Sequence, residues 1–236
     1  MMIGISEIFC PVCGHDTTIQ ILSDNLRETG VCSNCKSFNR QRQIAHVICE
    51  RYGIASLQDL VSLDLDVYLM ESRGSLYKAL QNCNRLVCSD FYPDGKVPAN
   101  SPHNFYHVDI QNCLFDGDSF DLVISSDVFE HVPDAYQGFK EIYRILRKSG
   151  VHVFSVPFTG NKTDEVRALP GPVHLMEPRY HGDPLRKEGS LVYRNFGLEM
   201  LKTLSELGMD TTMHQLAHVE HGILGDDAIV FESEKE

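Results

Sequence analysis

The chain has 236 residues and a formal net charge of −12. That length fits one α/β domain plus a small appendage, and the charge disfavours general nucleic-acid binding, because an acidic surface repels phosphate backbones. Hydrophobic residues make up 42% and charged residues 23%, the balance of a soluble globular protein. No stretch approaches the roughly 18 consecutive apolar residues of a membrane span. The segment from Met1 to Phe9 has no basic region and carries Glu7, unlike a signal peptide. Together these features lead us to expect a cytoplasmic protein with no membrane partner.

Residues 1–38 are poor in periodic apolar pattern and rich in Cys, Gly, Asn and Ser. They hold two C-x2-C pairs, Cys10/Cys13 and Cys32/Cys35. Paired cysteines at this spacing in a reducing compartment present four thiolates to one tetrahedral ion, which reads as a zinc ribbon. With all four positions filled by protein, the zinc is expected to be structural. The other cysteines, Cys49, Cys83, Cys88 and Cys113, are scattered and read as small buried hydrophobes. Arg27, Lys36, Arg40 and Arg42 form a local basic group in or beside this segment, diluted by Glu28 and Glu50.

From Asn39 a helical pattern begins, with Ile44, Val47 and Ile48 on one face; residues 39–63 read as a helical linker. Residues 64–236 then alternate strand and helix. The expected strands are 67–70, 85–89, 104–108, 120–125, 151–156, 213–219 and 228–231. The expected helices are 75–82, 134–147 and 196–207. The second is the clearest, with Ala135, Phe139, Ile142 and Leu146 in phase and Asp134 at the N-cap. This alternation predicts a doubly wound, mostly parallel α/β sheet of seven strands, with ligands outside the carboxyl ends of the strands. Residues 157–194, with Pro170, Pro172, Pro178 and Pro184, read as a long functional loop.

The run from Phe120 to Val132, FDLVISSDVFEHV, followed by Glu141, Arg144, Leu146, Lys148-Ser149-Gly150 and the strand to Pro157, resembles class I S-adenosylmethionine-dependent methyltransferases. Ser149 stands where that family usually has proline. The resemblance covers about residues 64–232 and implies a Rossmann-like methyltransferase sheet that binds S-adenosylmethionine. It implies that Asp90, after the second sheet strand, grips the ribose hydroxyls and that Phe91 packs on adenine. Asp109 and Ile110 would read the adenine, and Ser125 and Ser126 would end the strand that meets the methionine ammonium. The first motif departs from the family. Instead of a glycine-rich loop it reads Glu71-Ser72-Arg73-Gly74, so Gly74 alone aligns with a glycine and Glu71 is free to bind the ammonium. Arg73 would meet the carboxylate or block the site.

Methyl transfer needs in-line geometry and, for a hydroxyl acceptor, a base. His131 and His181 are the candidate catalytic residues, with His174 third. Glu130 and His131 also suit the start of a helix as simple dipole partners, and Tyr180 to Pro184 also reads as a structured turn. The N/D-P-P-Y/F motif of nucleic-acid amino methyltransferases is absent after the fourth strand. The reading is therefore a methyltransferase acting on O or N of a small-molecule acceptor, a metabolite or sugar. The alternatives are an RNA- or protein-modifying enzyme that docks through the ribbon, or a non-catalytic scaffold.

Overall fold

A computed structural model describes residues 3–92, 94–171, 173–183, 185–225 and 228–236, so Pro172 and Pro184 lie outside the described residues. Strands β1 (Ile3–Cys10) and β2 (His15–Ile21) form an antiparallel hairpin, and β3 (Val31–Cys32) adds to β2. Helix α1 (Asn39–Tyr52) follows. Then come β4 (Val67–Leu69), α2 (Ser75–Leu80), β5 (Leu86–Asp90), β6 (Phe105–His107), β7 (Phe120–Ser126), α3 (Ala135–Ile145) and β8 (Leu146–Ser155).

The stretch expected as a long loop carries three short antiparallel pairs among the described residues. They are built from β9 (Glu165–Val166), β10 (Ala168–Leu169), β11 (Val173–His174), β12 (Tyr180–Asp183), β13 (Arg186–Leu191) and β14 (Arg194–Asn195). The chain closes with α4 (Glu199–Glu206), β15 (Met209–Gln215) and β16 (Ile229–Lys235). The main sheet has the order β15-β16-β8-β7-β4-β5-β6, and β16 alone runs against the others. Chain order reverses between β4 and β7, the place where such sheets open a crevice at their carboxyl ends.

The pleat sends alternate residues to opposite faces. Leu122, Ile124, Val151 and Val153 join one apolar cluster, while Val123 and Phe154 join the other, as does Phe120 beyond a register shift in β7. Helix α3 covers the second face with Phe139 and Ile142, and α4 adds Met200 and Leu204. The first face is covered by Ile44 and Ile48 of α1, and the same cluster continues into Ile8 and Ile19 of the ribbon. Helix α1 therefore packs on the sheet itself, with the ribbon resting on its other side.

Several boundaries differ from the sequence expectation. Helix α3 ends at Ile145, because Leu146 turns extended and pairs with Phe120 of β7. Strand β8 thus starts at Leu146, five residues before Val151. Strand β15 is Met209–Gln215, not 213–219, and it pairs residue for residue with β16. As an edge strand it is mostly exposed, and its buried anchor is Met209, so apolar content marks it poorly. Strand β16 runs on to Lys235, where Glu232 and Glu234 pair with Arg51 of α1. No helix among the described residues is long and apolar enough to cross a membrane.

Because the ribbon, α1 and the sheet share one apolar cluster, Ile48→Ala should lower stability by about 2–5 kcal/mol. Denaturant unfolding followed by far-ultraviolet circular dichroism and by thiol accessibility at the ribbon should then shift together.

Candidate functional site

The turn after β1 and the turn after β3 bring the thiols of Cys10, Cys13, Cys32 and Cys35 within 4.8 Å of one another. Asn34 Nδ2 donates to Cys13 Sγ at 3.3 Å, and Cys35 N to Cys32 Sγ at 3.5 Å. Ser37 Oγ lies 3.6 Å from Cys10 Sγ and 3.2 Å from Cys35 Sγ. Behind it stands Arg42, fully buried, which donates to Ser37 O at 2.8 Å and to Gly222 O at 2.9 Å. Burial pulls the pKa of this guanidinium down, and the four cysteine sulphurs oppose that shift. A buried cation with no carboxylate beside it fits a site where four thiolates carry net negative charge. Cys49, Cys88 and Cys113 are buried, as read from the sequence, and Cys83 is half-buried.

At the carboxyl ends of β4 and β5, Glu71, Gly74, Asp90 and Phe91 gather. Glu71 accepts from Tyr77 N at 3.1 Å, at the start of α2. Burial raises its carboxyl to about 7. Gly74 has φ +103°, and a Cβ there would lie 3.0 Å from Glu71 Oε1, so glycine is needed for this approach. Asp90 accepts from Ser72 Oγ; burial raises its pKa, with Ser72 and Arg73 opposing. The Phe91 ring is exposed on one side and has the Arg186 guanidinium 5.6 Å from its centroid.

Asp109 uses its carboxylate locally, accepting from Gln111 N at 2.9 Å to cap the turn 110–112, in which Ile110 is buried. The Ser125 hydroxyl is buried 2.8 Å from His152 Nε2, so its side chain is not free to meet a ligand. Ser126 Oγ accepts from Arg40 Nε at 3.0 Å. An acid at the end of β5, an acid and a glycine after β4, and a flat aromatic ring match the diol, ammonium and adenine of S-adenosylmethionine in donor chemistry.

Beyond Ser126 the chain turns at Asp127, with φ +54°. Its carboxylate binds Arg27 of the ribbon through both guanidinium nitrogens, lies 3.6 Å from Arg40 Nε, and accepts from Ser155 Oγ at 2.8 Å. Burial alone would raise this carboxyl, but Arg27 and Arg40 hold it well below the usual carboxylate range. This bond seats the ribbon against the sheet and closes a cavity of about 760 Å³. Its walls come from Arg27 and Arg40, from Phe158 after β8, and from Tyr180 and His181 of β12.

His131 and His181 both line this cavity, with ring centroids 5.1 Å apart at 89°. Glu130, fully buried, lies behind them. Two features fasten the cluster. His131 Nδ1 donates to Leu191 O at 2.8 Å, and Tyr193 N donates to Glu130 O at 2.7 Å. Gly189, φ +84°, passes so close to the His181 carbonyl that a Cβ would collide with it. His174 stands exposed on β11 and does not line the cavity, so it is not part of the group. The expected basic patch is also dispersed: Arg42 is buried, and Arg27 and Arg40 pair with Asp127 and Glu28.

Sequence reasoning missed Asp127 as the ribbon's anchor and Glu130 as part of the site. An Asp at positive φ and a buried Glu leave no periodic trace. One legible hint was the polar pair Glu130-His131 between apolar Val128-Phe129 and Val132.

Residues 72–154 match the family profile described as a methyltransferase domain, and this span runs from the loop after β4 into β8. The sheet therefore contains a methyltransferase domain over these residues. No curated protein sequence matches the chain. Among solved structures, the chain is similar to an S-adenosylmethionine-dependent methyltransferase from Mesorhizobium loti. That match has 17% identity and TM-score 0.49, and covers 72% of this chain and 91% of the other. A methyltransferase of the same kind from Methanosarcina mazei matches at 12% identity and TM-score 0.43, covering 73% and 92%.

The state of Glu71 gives a pH test. Its folded pKa of about 7 lies above the unfolded value, so its contribution to stability is full below about 4.5 and is lost as pH rises through 7. Glu71→Gln should match the wild type in melting temperature near pH 4.5 and exceed it at pH 8. A melting series that shows the same difference at every pH would remove Glu71 as the titrating group.

Proposed function

We propose that this methyltransferase acts on a hydroxyl oxygen of a small polar metabolite or sugar seated in the cavity beside β7 and β8. The observation that carries this reading is the pair His131 and His181, backed by Glu130, in a cavity of about 760 Å³. That volume lies within the ordinary range for small-molecule sites. A hydroxyl must lose its proton as its oxygen attacks, and this cluster faces the space where such a group would sit.

S-adenosylmethionine, when bound, supplies an activated methyl group on a sulfonium. The chain's own residues hold and orient it in this reading. Glu71 accepts the ammonium, Asp90 accepts from the ribose diol, and Phe91 packs on the adenine with Arg186 above. Ile110 lines the adenine edge, while Asp109, committed to its turn, shapes that wall rather than reading the base. Gly74 gives the backbone its close approach. The strap from β12 to β14 and the ribbon wall flank the acceptor, and much of the rate comes from fixing the two reactants together.

The ribbon is read as a structural zinc site formed by Cys10, Cys13, Cys32 and Cys35, with Arg42 as counter-charge. The reading as an RNA- or protein-docking ribbon has less support. Its arginines are already paired or buried, and the chain carries net charge −12. A cytoplasmic setting agrees with the unpaired thiols.

Calorimetric titration with S-adenosylhomocysteine should show binding by the wild type that Asp90→Ala loses; equal affinity in both would place the cofactor elsewhere. Once an acceptor is found, His181→Ala should lower kcat by about 10²–10⁴ with S-adenosylhomocysteine affinity unchanged. For the ribbon, cobalt-substituted protein should absorb through thiolate-to-metal charge transfer, and Cys32→Ser should lose that absorption and much of its stability.

A further inference from the structure

Glu130 poses a charge problem that the fold does not answer with its own hydrogen bonds. The side chain is fully buried, and neither carboxylate oxygen accepts a hydrogen bond. An ionised carboxylate in that position is strongly unfavourable unless a cation stands beside it. Arg27 feels the charge of Glu130, but its guanidinium is bonded to Asp127 and Glu28.

Two imidazole nitrogens face Glu130 Oε1, His131 Nε2 at 3.6 Å and His181 Nδ1 at 3.5 Å. Both distances are too long for a good hydrogen bond. The tautomer of His131 is constrained, because its Nδ1 lies 2.8 Å from Leu191 O, which can only accept. Nδ1 therefore carries hydrogen, and in the neutral ring Nε2 turns a lone pair toward the carboxylate. Two electron-rich atoms face each other across a gap wide enough for an ion.

We propose that Glu130, His131 and His181 hold a divalent transition-metal ion, Zn²⁺ or a relative such as Fe²⁺ or Co²⁺, in the wall of the cavity. Metal–ligand bonds of about 2.0–2.1 Å in a tetrahedron set the ligand atoms about 3.3–3.4 Å apart, close to the two separations seen. All three donor atoms lie within 4.8 Å of one another. Two imidazoles and one carboxylate, with a position left for an exogenous ligand, suit imidazole-binding metals over Mg²⁺ or Ca²⁺. The Leu191 carbonyl supplies the outer hydrogen bond that fixes a metal-binding histidine in its tautomer. The cation sits against the cavity, so the open position faces the acceptor space.

The role of the ion rests on the methyl-transfer reading above; the site itself does not. A hydroxyl at the open position gives up its proton more readily, because the positive charge stabilises the electron pair left on oxygen. The O–H bond breaks, the pair stays on oxygen, and the proton passes to water in the cavity.

The test uses full-length protein, equilibrated with Co²⁺, dialysed and analysed for metal content and visible absorption. The quantity that decides is the equivalent of cobalt without thiolate charge-transfer absorption, since ribbon-bound cobalt carries that signature. The wild type should hold one such equivalent. Glu130→Gln and His181→Ala should hold none, the second at a partly exposed position where folding is less at risk. A wild type with no such equivalent overturns the proposal and leaves a proton on His131 as the cation facing Glu130. An equivalent that survives in both variants also overturns it, and points to His46, His218 and His221, whose ligand atoms also lie within 4.8 Å of one another. S-adenosylhomocysteine titration of the same samples keeps the two readings apart: lost cofactor binding in the wild type counts against methyl transfer, whatever the metal content.

Discussion

The two-armed grip of Arg27 on Asp127 joins parts of the chain 100 residues apart, and the shape of the site depends on it. Asp127 follows the central strand β7, at the sheet's carboxyl edge, and Arg27 belongs to the ribbon. With Arg40 beside them, one buried carboxylate balances two guanidinium groups, each of which also reaches Glu28. Buried charge of this kind is tolerable only when each partner is satisfied, so the pairing fixes one arrangement of ribbon and sheet. The ribbon thereby becomes a wall of the cavity rather than an appendage.

Organisation around this edge explains the rest of the site. Strands β4, β5 and β7 deliver Glu71, Asp90 and Ser126 to the crevice where chain order reverses. The turn after β7 delivers Glu130 and His131, and the strap from β12 to β14 returns across it with His181. In the proposed reading, cofactor residues come from the first half of the sheet and acceptor-facing residues from the second, with the ribbon walling the cavity. The methyltransferase-domain match spans residues 72–154, and the cavity features lie partly outside that span.

Much of the fold was legible because local pattern and tertiary demand agree. The apolar run Phe120 to Ser125 is a strand buried on both faces, and α3 repeats its apolar residues at helical spacing. The two cysteine pairs were legible through spacing alone. The failures have physical causes. Strand β15 was misplaced because an edge strand needs only one buried anchor, Met209. The hairpin β12–β13 was hidden because Gly189 and Asp183 hold it through backbone approach and side-chain bonds, neither of which is periodic. Asp109 also caps its own turn through Gln111 N, a local bond that spacing does not reveal. Glu130 looked like a helix-start acid and became a buried partner of two histidines through a strap some 50–60 residues downstream.

The central claim is that the proposed cofactor residues around Asp90 and the histidine-lined cavity under the ribbon face one reaction space. A crystal structure of the full chain with S-adenosylhomocysteine tests it most directly. The account predicts the ribose on Asp90, the ammonium at Glu71, and the sulphur opening toward His131 and His181 without crossing protein. A ligand bound elsewhere, or a sulphur walled off from the cavity by Arg40 and Ser126, would contradict it.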